Sequence, residues 1–372
     1  MKRLFPWVWV ILLTIPPCAM ATSSPVTVAA ILSTTGIAAP HNLPMIPLIE
    51  LAVDEINQQG GVLGQPLRLM IMDNQSTPIG STRAARQAIK NHAIAVIGAH
   101  WSSHSLAMAP ILQQAKIPMI TISTNPDITR VGNYIFRINF HDRFQGQMVA
   151  KFARESLNAG TAVVLKNLNE TYSMTLTEYF TKEFQQLGGK ILLKKGYKGG
   201  AVDFQNIISR IKPFHPDVVF IPGYSRDSGL FLRQTVSQGL YSIFMGADAW
   251  DDIHRYAGDA LEGSYCTAVW HPAMKNPSSR HLQKIYQNRY RSDVINFSAV
   301  PWYDAFMLLG NAVGRAKSLK HRKIRDALAT TREFQGASGT ITFDINGDPV
   351  GKEMVILKYE QGKAAYLKTI TP

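Results

Sequence analysis

Short runs that are apolar from end to end, alternating with segments of helical periodicity, constrain this chain more than anything else in its sequence. "VTVAAILS" leads into "IPLIELAVDEINQQGG", whose paired glycines mark a helix stop, and "LRLMIMD" leads into "PIGSTRAARQAIKNH". "AIAVIG" and "PMITIS" predict two further strands, separated by a helix that begins near Ser102. The same beat restarts at "TAVVLKN" and passes through a helix over about 174–187. It then continues as "KILLKKGY", "FQNIISRIK", "DVVFIPG", "RDSGLFLRQTVSQG" and "SIFMGA". A strand with no alternating polar face is buried on both sides. The pattern therefore predicts an α/β protein with parallel sheets covered by helices. Two such series, with "FRINFHDRFQGQ" between them, predict two similar lobes. From Lys275 to Leu328 the pattern is mostly helical, and the chain closes with "GTITFD" and a hairpin-like pair, "EMVILKYE" and "AAYLKTI", around Gln361 and Gly362.

With 372 residues, 46% hydrophobic and 17% charged, the composition is that of a globular protein long enough for two domains. The first residues read as a secretory leader, residues 1–21. Lys2 and Arg3 supply the charged end, Leu4 to Ile15 an apolar core too short to span a bilayer, and Ala19-Met20-Ala21 the small-x-small cleavage pattern. Cleavage is expected near Ala21. Lipid anchoring at Cys18 is disfavoured, because Pro17 stands where a small residue is wanted. Once the leader is gone, Cys266 is the single cysteine, so no internal disulfide is expected and stability rests on packing. Cys266, in "GSYCTAVW", reads as a small core residue. The formal charge of +13 raises the question of a polyanion partner, but the basic residues are scattered. The densest run, Lys317 to Arg325, has no interleaved aromatics and reads as a solvated helix face, so no nucleic-acid partner is expected.

The common catalytic signatures are missing. Gly60, Gly61 and Gly64 follow a helix instead of a strand, so they make a stop and a turn and not a pyrophosphate loop. There is no P-loop, and "GYSRDSG" has the wrong spacing for a nucleophile elbow. His100 and His104 stand four apart, a metal-chelating spacing on a helix, but His100 precedes the helix start and no third ligand accompanies them. No metal, no cofactor and no enzymatic activity are expected.

Ligands of open α/β sheets sit beyond the carboxyl ends of the strands, where helix N-termini expose free N–H groups. Five polar clusters occupy that position: "HWSSHS", "STN", "NETYS", "GYSRDS" and "ADAWDD". Any one of them is explained by caps and turns. Their coincidence at five strand ends, with aromatics and acids among them, points to a ligand site made from strand ends, two of them in the first lobe and three in the second.

"LAVDEINQQGGVLGQPLRLMIMDNQSTP", "VIGAHWSS", "PMITIST", Asp203-Phe204, "PDVVFIPGYSRDSGLFLRQTVSQGL" and "FMGADAWDD" follow one another at characteristic gaps. In these segments the chain resembles the periplasmic solute-binding proteins of the leucine/isoleucine/valine-binding type, the receptors of ABC transporters for branched-chain amino acids. The resemblance covers essentially the whole mature chain. It implies the type 1 periplasmic binding protein fold, with two Rossmann-like lobes around parallel-sheet cores, joined by a multi-strand hinge. Residues 25–140 plus 273–343 would form lobe 1, and residues 141–272 plus 344–372 lobe 2. It further implies a monomer in the periplasm that closes on an amino acid and delivers it to an inner-membrane ABC permease. Carried over residue by residue, Ser102 holds the ligand carboxylate at a helix N-terminus, and Ser123 and Thr124 lie in the segment that meets its carboxylate and ammonium. Tyr172 and Tyr224 close over the ligand, and Asp248 pairs with the α-ammonium. Trp101 and Trp250 read as walls, and His41 lies in a loop that in the family often contributes an aromatic over the ligand.

Two departures lie against the implied pocket. The family's frequent first-lobe disulfide is absent, with Trp101 near one expected cysteine, and "APHNLPMIPLIE" is proline-rich where glycine and small polar residues are usual. The side-chain preference therefore need not be leucine or valine. Alternatives that keep the architecture are a sensory ligand-binding protein and a receptor for an amide, urea or an aromatic acid. A hydrolase would need a base beside Ser102, and the sequence places none there.

Overall fold

A computed structural model of the chain describes residues 24–372. The leader, its cleavage near Ala21 and Cys18 lie outside the described residues. Strands β1 (Val26–Leu32), β2 (Leu67–Asp73), β3 (Val96–Gly98), β4 (Met119–Thr121) and β5 (Ile135–Arg137) form an all-parallel sheet in the order β2-β1-β3-β4-β5. All seven residues of β1 are buried, as a central strand covered on both faces requires. Each Val, Leu or Ile so buried contributes about 1.5–3 kcal/mol.

A second sheet contains β6 (Thr161–Asn167), β7 (Lys190–Tyr197), β8 (Val218–Phe220), β9 (Ile243–Met245) and β10 (Tyr265–Ala268), all parallel. A two-stranded ladder of β11 (Phe334–Gly336) and β12 (Gly339–Ile341) precedes β13 (Met354–Glu360) and β14 (Lys363–Ile370). The β13–β14 hairpin extends the second sheet antiparallel from β10, in the order β14-β13-β10-β9-β8-β6-β7.

The late helices lie on the first sheet's side. Tyr303, in helix Val300–Ala316, donates to Glu55 Oε2 at 2.6 Å, and Tyr290, in helix Pro277–Tyr290, donates to the Pro47 carbonyl at 3.0 Å. Both acceptors belong to helix Ile46–Gln58, whose Leu48, Ile49, Ala52 and Ile56 are buried. The chain therefore passes between the sheets in three segments, at 138–141, 269–276 and 342–353. Strands β5 and β10 were not legible beforehand. Both are short, and β5 carries Arg137, a fully buried cation at the end of an otherwise apolar run.

Cys266 is free and buried in β10, where burial pushes its thiol up to about 12, so it packs as a small core residue. Among the described residues no helix is long and apolar enough to cross a membrane.

Candidate functional site

Between the lobes lies a cavity of about 30 Å³, room for about one water, so a larger ligand is seated only as the facing walls part. Ser102, Ser123 and Thr124 line it from the first lobe, and Tyr172, Tyr224 and Asp248 from the second. Six of the eight residues expected at the site thus share one wall or its opposite.

On the first lobe, Ser102 is the first residue of helix Ser102–Gln114, whose N-cap, Trp101, provides no side-chain cap. Ser102 is 1% exposed, and its hydroxyl has no partner among the described residues. A buried, unpaired hydroxyl costs stability, and at the positive end of a helix it is suited to an anion. The neighbouring Ser105 hydroxyl holds the loop instead: it accepts from Ala99 N at 2.9 Å and contacts the hydroxyls of Thr121 and Ser123. The Ser123 hydroxyl bonds back to the Ala99 and His100 carbonyls, and the Thr124 hydroxyl lies against the Asp142 carboxyl.

Arg137 fixes this loop from behind. It is fully buried, donates to the Ser123 and Asn125 carbonyls at 2.7 Å each, and pairs with Asp348 at 2.7 Å. The carbonyl between them, on Thr124, accepts from Asp142 N at 2.8 Å. All three carbonyls of the segment are engaged once, and each keeps a second lone pair.

Asp248 is half-buried and lines the cavity from the second lobe. Its Oδ1 accepts from the Tyr172 hydroxyl at 2.8 Å and from Gln145 Nε2 at 2.9 Å, whereas Oδ2 has no partner among the described residues. Burial raises its pKa, with the Gln145 and Tyr172 bonds acting against the rise. A cation arriving at Oδ2 stabilises the ionised form. Burial pushes the carboxyl of nearby Asp142 up to about 8, although the Thr124 hydroxyl acts against the rise.

His41 and Trp101 do not line this cavity. They stand behind Tyr224, lining a wider cleft of about 590 Å³ together with Glu170 and Asp252. Trp101 stacks on Tyr224 with ring centroids 3.9 Å apart, and Tyr224 stacks on Tyr172 at 5.5 Å. The two residues thus reach the cavity through the aromatic wall. His41 Nε2 meets Asp251 Oδ1 at 2.7 Å across the lobes. Burial opposes charge on this imidazole, but Asp251 outweighs it and raises the pKa. The Trp101 indole N–H lies 3.3 Å from His41 Nδ1 and bonds to it only while that nitrogen is bare.

Further inter-lobe bonds run from Ser103 to Glu170 (3.0 Å), from Asn125 to Thr175 (3.0 Å) and from Ser298 to the Asp248 carbonyl (3.2 Å), so the lobes are closed on one another. Burial pushes Glu170 up to about 7 despite its bond from Ser103.

His100, Ile122, Asn139, Val269, Phe297 and Ser298 complete the lining and were not anticipated as ligand residues. His100 stands in the "HWSSHS" cluster, read above as part of the pocket, but is singled out there only as a possible metal ligand. It faces Trp302 at 3.2 Å, whereas His104 faces Asn74 at 3.2 Å, so the two rings part company. Asn139 and Val269 sit in segments that cross between the sheets, where periodicity carries no signal.

The family model described as periplasmic binding protein matches residues 25–364. A leucine-, isoleucine-, valine-, threonine- and alanine-binding protein of Pseudomonas aeruginosa is 28% identical over 302 residues, 80% of either chain. The solved leucine-binding protein of Thermotoga maritima superposes with a TM-score of 0.89 at 33% identity, over 93% of this chain and 99% of that one. A branched-chain amino acid transporter substrate-binding protein of Streptococcus pneumoniae, solved with isoleucine, gives 0.88 at 23% identity over 94% and 100%, a likeness of fold. The match spans nearly all of the described chain and agrees with its two sheets built on parallel cores and its inter-lobe cavity: the chain belongs to the periplasmic binding protein family.

Proposed function

We propose that this protein is the periplasmic receptor of an ABC transporter and binds a small α-amino acid between its lobes for delivery to the membrane permease. Lobe 1 in this reading comprises residues 25–140 and 273–343, lobe 2 residues 141–272 and 344–372, and the mature monomer begins after cleavage near Ala21. The carrying observation is the pairing of opposite needs across one cavity. Ser102 presents an unpartnered hydroxyl at a helix N-terminus, and Asp248 presents a free carboxylate oxygen on the facing lobe. An α-carboxylate takes the first, together with Thr124, and an α-ammonium the second. Neither lobe holds both ends, so ligand favours the closed arrangement over the open one.

Tyr172 orients Asp248, Tyr224 covers the ligand, and Trp101 and His41 brace Tyr224 and tie it to the second lobe through Asp251. A carboxylate that needs a cation argues against an aromatic acid as ligand. The mechanism is binding and closure, with no bond made or broken. Calorimetry on the refolded mature protein tests it with one amino acid, its N-acetyl derivative and the amine lacking its carboxylate. The amino acid should bind and both derivatives should lose affinity by at least about tenfold. Equal binding of the N-acetyl derivative would remove the ammonium site.

A further inference from the structure

Beyond the sites for carboxylate and ammonium, the cavity is lined by His100, Ile122, Asn139, Val269, Phe297 and Ser298. Two of these carry hydrogen-bond donors that the protein leaves unused. The Trp302 indole N–H, which can only donate, lies 3.2 Å from His100 Nδ1. That nitrogen must therefore be bare, and a neutral ring carries its proton on Nε2, which has no partner among the described residues. Burial and the neighbouring His41, 4.7 Å away ring to ring, hold the imidazole pKa down to about 3, so the ring is neutral at any physiological pH. Asn139, 4% exposed, accepts from Phe140 N at 2.9 Å through Oδ1, and its amide nitrogen is likewise unpartnered among the described residues.

A branched aliphatic side chain would cover both donors and satisfy neither, displacing water without replacing its bonds. No lysine or arginine lines the cavity to hold an acidic side chain, and Asp248 disfavours a second anion. A cationic side chain would meet N–H groups.

Resting on the amino-acid reading above, we infer that the pocket selects a small, neutral side chain bearing a hydrogen-bond acceptor oxygen, a hydroxyl or an amide, held by the Nε2–H of His100 with help from Asn139. Threonine against valine, and asparagine against leucine, then become discriminating pairs, because each pair differs mainly in the polar atoms.

The test is calorimetry of the refolded mature protein with these four amino acids, repeated with His100→Leu and Asn139→Ala. Threonine should bind at least about tenfold tighter than valine, with asparagine ahead of leucine, because a buried donor left unpaired discriminates by that much or more. His100→Leu should shrink the threonine-to-valine ratio at least about fivefold. The wild-type ratio needs no variant to fold. Valine binding as well as threonine, or better, overturns this inference and leaves the amino-acid reading standing. A threonine preference unchanged in His100→Leu overturns the assignment to His100. Binding of none of the amino acids tried overturns the amino-acid reading, and this inference with it.

Discussion

Replacing Asp248 with Asn removes one charge and almost no volume. The carboxylate sits in the cavity wall with two neutral donors, Tyr172 and Gln145, on Oδ1, and no cation among the lining residues. An arriving α-ammonium is then its only counter-charge. Truncating one partner of such a desolvated pair costs about 2–5 kcal/mol. Asn keeps a neutral acceptor toward the ammonium, which places the loss in the lower half, about 2–3 kcal/mol, or about 30- to 150-fold in Kd. The unliganded protein should respond in the opposite sense. Burial already raises the Asp248 pKa, so a neutral amide relieves an uncompensated charge, and the variant should melt at or above the wild type. Titration calorimetry with the same amino acid on both refolded proteins, paired with melting curves without ligand, reads both effects. A Kd within about threefold of wild type would refute the ammonium assignment.

Other substitutions probe the rest of the site. Ser102→Ala should weaken amino-acid binding about tenfold by calorimetry while leaving the melt unchanged or raised, since its hydroxyl has no partner to lose. Arg137→Met takes the cation from Asp348, which keeps the Thr129 hydroxyl, and the donor from two carbonyls. Urea unfolding should show a loss of about 3 kcal/mol, and a loss under about 1 kcal/mol would deny Arg137 its role behind the Ser123–Asn125 loop. Asp142, pushed up from 3.8 to about 8, keeps a proton that the unfolded chain releases at lower pH. Its contribution is therefore complete below pH about 4 and is lost as pH rises through about 8, a slope that Asp142→Asn should flatten in urea titrations across that window. Parallel pH profiles for the two proteins would contradict the shift.

The architecture was legible because parallel-sheet strands are buried on both faces and write themselves as unbroken apolar runs. "TAVVLKN" coincides with the largely buried interior strand β6 to the residue, and "LRLMIMD" and "KILLKKGY" coincide as closely with β2 and β7, edge strands that are mostly half-buried and carry Arg68, Lys194 and Lys195. Strands β5 and β10 are three and four residues long, with Arg137 and Thr267 among them, and short mixed runs carry no period. At the site, residues at strand ends could be read as a group, and six of them meet in the cavity. Placing His41 and Trp101 one layer back requires knowing how Tyr224 stacks, and that is decided by packing between lobes. The unused donors of His100 and Asn139 were invisible for a similar reason. What leaves His100 Nε2 free is its bond to Trp302, 202 positions away in the chain.

The most direct measurement is a thermal-shift screen of the mature protein, refolded to strip bound ligand, against the amino acids, urea, short amides and aromatic acids. A concentration-dependent rise in Tm with neutral α-amino acids, and none with the uncharged amides or the aromatic acids, is the predicted result. A rise with amides or aromatic acids alone would leave the fold intact and contradict the pairing of Ser102 and Asp248 around a zwitterion.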